Sequence, residues 1–200
     1  MLDPSPTLAR FTRAYPPVTP RQPVGEDFHE ALAGDLPASL HALYDELGLG
    51  KLGDGLIELV DPRSYSAPYA AFLGGDAAGR VPFLLSARGE PLAYKRLGGR
   101  EAEISILHTY GPRLEVLAYD LDDFFDRVLL TDDGLRQVVN VPLFRQLRSR
   151  LRKTRPGECY GFDPGLLREA PPGTRADVEW FEVVDAREQL ELLLRRAAEE

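Results

Sequence analysis

LPASLHALYDELGLGKLGDGLIELVDPRSY, residues 36–65, carries a helix, a glycine-dense turn, a short strand and an Asp-Pro stop. Leu36, Leu40, Leu43 and Leu47 share one face at helical spacing, which predicts a helix over 36–47. Asp35 is the expected N-cap, and Pro37 suits the first turn. Gly48 falls where a helix stops on a left-handed residue. Gly55-Leu56-Ile57-Glu58-Leu59-Val60 then reads as a strand, ended by Pro62. Gly48, Gly50 and Gly53 also satisfy G-x-G-x-x-G, with Lys51 beside them. A phosphate cradle of that kind joins a strand to a helix, so that the helix N-terminus faces the phosphate. Here the helix precedes the strand, and Leu52 stands where a Walker loop needs Ser or Thr after its Lys. The order predicts a helix C-cap and a helix-to-strand turn rather than a nucleotide site.

Downstream, Tyr65 to Arg80 reads as a short helix closing in Gly74-Gly75. Val81–Leu85, Pro91–Tyr94, Glu103–His108 and Leu114–Ala118 follow as strands joined by glycine-bearing turns, which predicts an antiparallel sheet or meander. The second half turns helical. Asp120 caps a helix carrying Phe124, Phe125, Val128 and Leu129, and Asp132-Asp133-Gly134 is a turn. Asn140 opens a helix with the stripe Phe144, Leu147, Leu151, ended by Pro156-Gly157. Residues 158–162 and 177–184 read as strands, and Asp185-x-x-Glu188 opens a final helix with Leu190, Leu193 and Leu194 inward. The expected class is α+β, a mostly antiparallel sheet packed with helices and a helix-rich C-terminal half. Residues 1–25 hold Pro4, Pro6, Pro16, Pro17, Pro20 and Pro23, too many for a regular helix. They predict an extended arm lying on the domain or loose in solvent, with Phe11 and Tyr15 anchoring a short turn. An α+β region over 26–120 and a C-terminal region over 121–200, packed on the first, complete the expected organisation.

The composition, 44% hydrophobic and 28% charged, is that of a folded globular chain. One cysteine, Cys159, excludes an internal disulfide and suits a reducing compartment. No run approaches a membrane span, and no signal peptide is visible, so a cytoplasmic protein is expected. The net charge of −8 argues against direct nucleic-acid binding, which needs a cationic surface, and permits a cationic protein partner. His29, His41 and His108 are far apart in sequence, with no metal-ligand spacing. No serine sits in a nucleophile elbow. Cys159, between Glu158 and Tyr160 on a strand, reads as a buried inert thiol. Catalytic residues, cofactors and metals are therefore not expected.

Two charge clusters stand out. Glu115, Asp120, Asp122, Asp123, Asp126, Asp132 and Asp133 face one base, Arg127, within 115–133. Arg145, Arg148, Arg150, Arg152, Lys153 and Arg155 stand without an acid within 145–155. Either the two segments pair as solvated faces, or the acidic run docks a basic partner, with the arginine helix supporting it or touching phosphate.

Leu36-Pro37, Leu40, Tyr44, Gly48, Gly50, Asp54-Gly55-Leu56 and Val60-Asp61-Pro62 together resemble the GAD-like domain family. Its pattern runs Leu-Pro, an aromatic, a glycine turn, then a strand ending in Asn/Asp-Pro. Asp120-Leu121-Asp122-Asp123-Phe124-Phe125, Val141-Pro142-Leu143-Phe144 and Gly157-Glu158-Cys159-Tyr160-Gly161-Phe162-Asp163-Pro164 look like the domain that often follows it, closed by a leucine-rich helix at Leu190–Leu194. Tyr44 stands where a tryptophan is common, and Leu166-Leu167-Arg168-Glu169-Ala170 replaces the usual Ala-Leu-Gly-Gly. The resemblance implies an immunity protein of a bacterial type VI secretion system, which binds and blocks a cognate toxin, in several cases a DNase. It carries over no binding residues, because immunity contacts vary with each toxin. The acidic run 115–133 is the candidate surface. The alternative is a housekeeping or regulatory interaction module of the same fold.

Overall fold

In a computed structural model, which describes residues 6–18, 21–99, 101–111, 113–166 and 176–198, the glycine-bearing turns fold apolar strands back on one another. Strands β1 (Gly50–Leu52), β2 (Ile57–Leu59), β3 (Arg80–Ser86), β4 (Pro91–Gly98), β5 (Glu101–His108) and β6 (Arg113–Ala118) form one antiparallel sheet. Each pairs with the next in the chain. A second antiparallel pair joins β7 (Glu158–Gly161) to β8 (Glu182–Asp185). Helices α1 (Pro6–Ala14), α2 (Glu26–Leu32), α3 (Ala38–Leu47) and α4 (Pro62–Leu73) precede the long strands or interrupt the sheet. After β6 come α5 (Leu121–Asp123), which runs into a π-helical stretch (Phe124–Leu129), then α6 (Asp132–Val138) and α7 (Val141–Arg150). Helix α8 (Ala186–Ala198) follows β8. The α+β class expected from the strand and helix periodicities is the class observed.

The main core lies on one face of the sheet. There Leu84, Leu92, Ile104 and Ile106 meet Leu40, Leu43 and Tyr44 of α3, Phe124 and Phe125 after α5, and Leu147 of α7. On the other face, α4 and α8 pack together. Tyr69 covers Ala93 and Leu107, while Val60, Tyr65 and Leu85 meet Cys159, Ala186 and Leu190. Burying each large apolar side chain contributes about 1.5–3 kcal/mol, so this layering supplies the dominant driving force.

Several local expectations are corrected. Residues 6–14 form a helix, not an extended arm: Pro6 occupies its first position, where proline is tolerated, and no proline interrupts it before Pro16. Phe11 is fully buried against Phe125, ring centroids 4.7 Å apart. Beyond it the chain does run extended along the domain, bridging Pro17 to Leu52 and Gln22 to Leu49. The helix expected from Leu36 begins at Ala38, and Asp35 belongs to the turn that closes α2. Asp61 is both strand stop and helix cap, its carboxylate accepting from Arg63 N at 3.0 Å. Asp132-Asp133-Gly134 opens α6, because the Thr131 hydroxyl accepts from Gly134 N. Residues 178–180 form a single 3₁₀ turn, so the strand read over 177–184 starts at Glu182. Beyond Leu166, the segment that replaces Ala-Leu-Gly-Gly lies outside the described residues.

Candidate partner-binding surface

The sequence Leu114-Glu115-Val116-Leu117-Ala118-Tyr119-Asp120 ends the meander and turns into α5, so it forms the corner of the sheet. Val116 and Tyr119 are 39% and 63% exposed there, unusual for large apolar side chains. Asp120 caps α5 through Oδ1, which accepts from Asp123 N at 2.9 Å. Asp120 and Asp122 line a groove of about 370 Å³ whose other walls include Tyr94, Arg96, Pro37 and Ser39.

The seven acids named from the sequence fall along this corner and the helices after it, and their surroundings differ. Glu115 Oε2 meets Arg113 at 2.6 Å and His108 Nε2 at 3.1 Å. Asp123 pairs with Arg127 one helical turn on, at 2.7 Å. Asp126 serves within the chain: Arg10 reaches both its oxygens, at 2.6 and 2.7 Å, and Thr7 donates at 3.2 Å, tying α1 to the π-helical stretch. Asp132 and Asp133 stand exposed in the first turn of α6, with Arg136 3.4 Å from Asp133. Among the described residues, Arg10, Arg113, Arg127 and Arg136 each meet one of these carboxylates, and Arg96 shares the groove of Asp120 and Asp122.

The acidic and arginine-rich runs do not pair with each other among the described residues. Arg148 and Lys153 both reach Asp54, at 2.5 and 3.1 Å, and hold its carboxyl below the usual range. Arg152 grips Glu158 at 2.6 and 2.7 Å and draws its pKa down to about 2. Arg150 donates to the backbone carbonyls of Val178 and Glu179. The arginine run thus fastens α7 and the segment after it to the sheet and the small β pair.

Lys51, the residue beside the phosphate-like glycines, is buried. Its ammonium lies 2.6 Å from Glu58 Oε2 and donates to Glu158 O at 2.5 Å, while Glu58 Oε1 accepts from Gly157 N at 2.6 Å. Gly48 closes α3 with φ +67° and ψ −177°, a region open to glycine alone. Gly48 is the expected helix C-cap, but Gly50–Leu52 forms β1 rather than a turn, and the turn is Gly53–Gly55, which leads into β2. Cys159 is fully buried, and burial pushes its pKa up to about 12, so the thiol is unreactive.

Two arrangements escaped the sequence reading. His29 on α2 and His41 on α3 are neighbours, their Nδ1 atoms 2.8 Å apart, with Asp45 2.8 Å from His29 Nε2. Burial, then the neighbouring imidazole, lowers the His41 pKa. Among the described residues no group of three or more His, Cys, Asp or Glu side chains is placed to hold a metal ion. Helix α2, only seven residues long, gave too little periodicity to reveal the pair. Secondly, His108 bridges Glu115 to Glu90, which is 3% exposed and also meets Arg88 at 2.6 Å. Hydrogen bonding to Glu90 raises the His108 pKa despite its partial burial. This chain of charges fixes the orientation of Glu115 on β6. The signal for it was the cross-strand pair His108 and Arg113, legible only with the register in hand.

Among the described residues no helix is long and apolar enough to cross a membrane. No protein-family model matches the chain, and no curated protein matches it. Among solved structures the chain is similar to the crystal structure of Atu4351 from Agrobacterium tumefaciens. The two are 18% identical with a TM-score of 0.71, over 92% of this chain and 86% of that one. At that identity the likeness is one of fold, and function has to be argued from the chain's own residues.

Proposed function

We propose that this chain is a cytoplasmic immunity protein of the GAD-like type, which neutralises a type VI secreted antibacterial toxin by stoichiometric binding. The observation that carries the reading is the joint between the two sequence blocks on which the family resemblance rests. Lys51 and Glu58, from the first block, hold the backbone of Gly157 and Glu158, from the second, through a buried ion pair. Tyr44 and Val60 of the first block are joined by a buried hydrogen bond of 2.8 Å. Tyr44, Val60, Gly157 and Glu158, which carry the resemblance, and Lys51 and Glu58, which lie between such residues, thus lock two halves into one packed unit, and recognition is left to the surface. The acidic corner at β6 and α5 suits a toxin whose substrate is nucleic acid, because a phosphate-binding groove is basic and an acidic protein can occlude it. The test is co-expression with the toxin candidate encoded beside this gene in a bacterial host. Restored growth and a stoichiometric complex on size-exclusion chromatography with light scattering are expected; neither rescue nor complex would overturn the reading.

A further inference from the structure

Independently of the toxin reading, we infer that this chain pairs with a second copy of itself through the outer edge of β6, the two strands antiparallel about a two-fold axis at Leu114. The six-stranded sheet has two edges, and the chain treats them differently. At β1 the extended residues after α1 close the edge. Val18 N donates to Lys51 O at 2.8 Å, Gly53 N to Pro16 O at 3.1 Å, and Leu49 exchanges bonds of 2.7 and 3.0 Å with Gln22. At β6 the edge is open. Ala102 N donates to Tyr119 O at 3.1 Å, so Ile106 and His108, at even steps along β5, also turn their backbone groups toward β6. Their partners Glu115 and Arg113 bond back to them. Leu114 and Val116 therefore turn N–H and C=O outward, where they meet no partner among the described residues. Such an edge is a template for another strand.

The side chains select the occupant. Arg113 and Glu115 stand two residues apart on the face of the sheet that carries Ile106 and the main core. Their charges cancel along the edge, with 2.6 Å between Arg113 Nη2 and Glu115 Oε2. A strand of one charge would meet a like charge at one of these two positions. An antiparallel copy meets none. With Leu114 on the axis, Arg113 lies opposite Glu115 of the second copy and Glu115 opposite its Arg113, two complementary pairs from one patch. Moving the axis to Glu115 or to Arg113 sets that residue against itself, so charge fixes the register. In it, Leu114 exchanges both main-chain bonds with its counterpart. On the other face, where Tyr69 covers Leu107, Leu114 meets Leu114 and lies diagonal to exposed Val116. An extra residue in β6, between the pairs Ser105–Val116 and Ile104–Ala118, ends the regular stretch at Val116. The interface is therefore small and the dimer concentration-dependent.

Sedimentation equilibrium of the full chain at concentrations up to about 1 mM measures the association, and residue-resolved amide hydrogen exchange maps it. A reversible dimer is expected, with protection at the Leu114 and Val116 amides that grows with concentration. Arg113→Glu changes a side chain that is 66% exposed, so it folds; it sets like charges opposite one another twice and should weaken the dimer at least about tenfold. Glu115→Arg should do the same. An equimolar mixture of the two variants pairs an acidic edge with a basic one and should associate, and Arg113→Glu/Glu115→Arg should recover self-association. Arg113→Glu alone decides the matter if Glu115→Arg loses its circular dichroism along with its His108 contact. A wild-type chain that stays monomeric at about 1 mM would overturn the inference. So would protection away from residues 114–116, undiminished pairing of Arg113→Glu, or a mixture of two folded variants that stays monomeric.

Discussion

Replacing Lys51 by Met tests whether the buried ion pair is the clasp of the molecule. The side chains of Lys51 and Glu58 are 2% and 4% exposed, with 2.6 Å between charged atoms. At an effective dielectric of about 20, two unit charges at that separation attract by about 6 kcal/mol. Taking both ions out of water opposes this by several kcal/mol each, so the intact pair contributes little net stability. Removing one partner is another matter. Lys51→Met leaves the Glu58 carboxylate buried with Gly157 N–H as its remaining donor and strips Glu158 O of its own. The expected loss is about 3–5 kcal/mol, a large part of a total near 5–15 kcal/mol. Lys51→Met/Glu58→Leu removes both charges at similar volume and orphans only two backbone groups, about 1–3 kcal/mol each, so it should be more stable than the single variant. Urea unfolding followed by Trp180 fluorescence and far-ultraviolet circular dichroism measures both, provided the denaturant slope is unchanged. A single variant within about 1 kcal/mol of wild type, or a double variant less stable than the single, would refute the reasoning.

Phe11→Ala should destabilise by about 3–5 kcal/mol, because the ring is wholly buried against Phe125; a change under about 1 kcal/mol in the same urea assay would show that α1 is peripheral. Gly48→Ala forces a side chain into φ +67°, ψ −177° and brings its Cβ within 2.7 Å of Gln22 O. The expected cost is about 1–3 kcal/mol or more, read as a lowered melting temperature, and an unchanged one would contradict the backbone geometry. His108 predicts a pH dependence. Its folded pKa is raised, chiefly by the hydrogen bond to Glu90. The stability it contributes is therefore complete below the unfolded value, about 6.5, and declines as pH rises through the folded value. Unfolding free energies measured across that window should fall with pH in the wild type and flatten in His108→Gln; parallel profiles would remove His108 as the cause.

The meander was legible because its strands alternate and its turns carry glycine. The helices with side-chain caps were legible too: Asp120, Asn140 and Asp185 each accept the bonds their positions predict. What hid was decided by distance in space. Proline counting argued against a helix over residues 6–14, yet Leu8 and Phe11 join a core in which Phe11 meets Phe125, more than a hundred positions later. Motif order excluded a phosphate role for Lys51, but nothing in the sequence showed the buried pair it makes with Glu58 beneath the turn before β7. The acidic run was visible as charge, but Asp126 proved to hold α1, a role that depends on Arg10 arriving from the other end of the chain. The arginine run likewise found Asp54 and Glu158 rather than the acidic run 115–133.

The N-terminal segment links the two ends of the sheet. Its helix packs on the π-helical stretch that follows β6 and α5, through Phe11 on Phe125, Arg10 on Asp126, and the Tyr15 hydroxyl donating to Leu129 O. Its extended part then crosses to β1 and fills that edge. One segment therefore buttresses the junction beside the open strand and closes the strand at the opposite side.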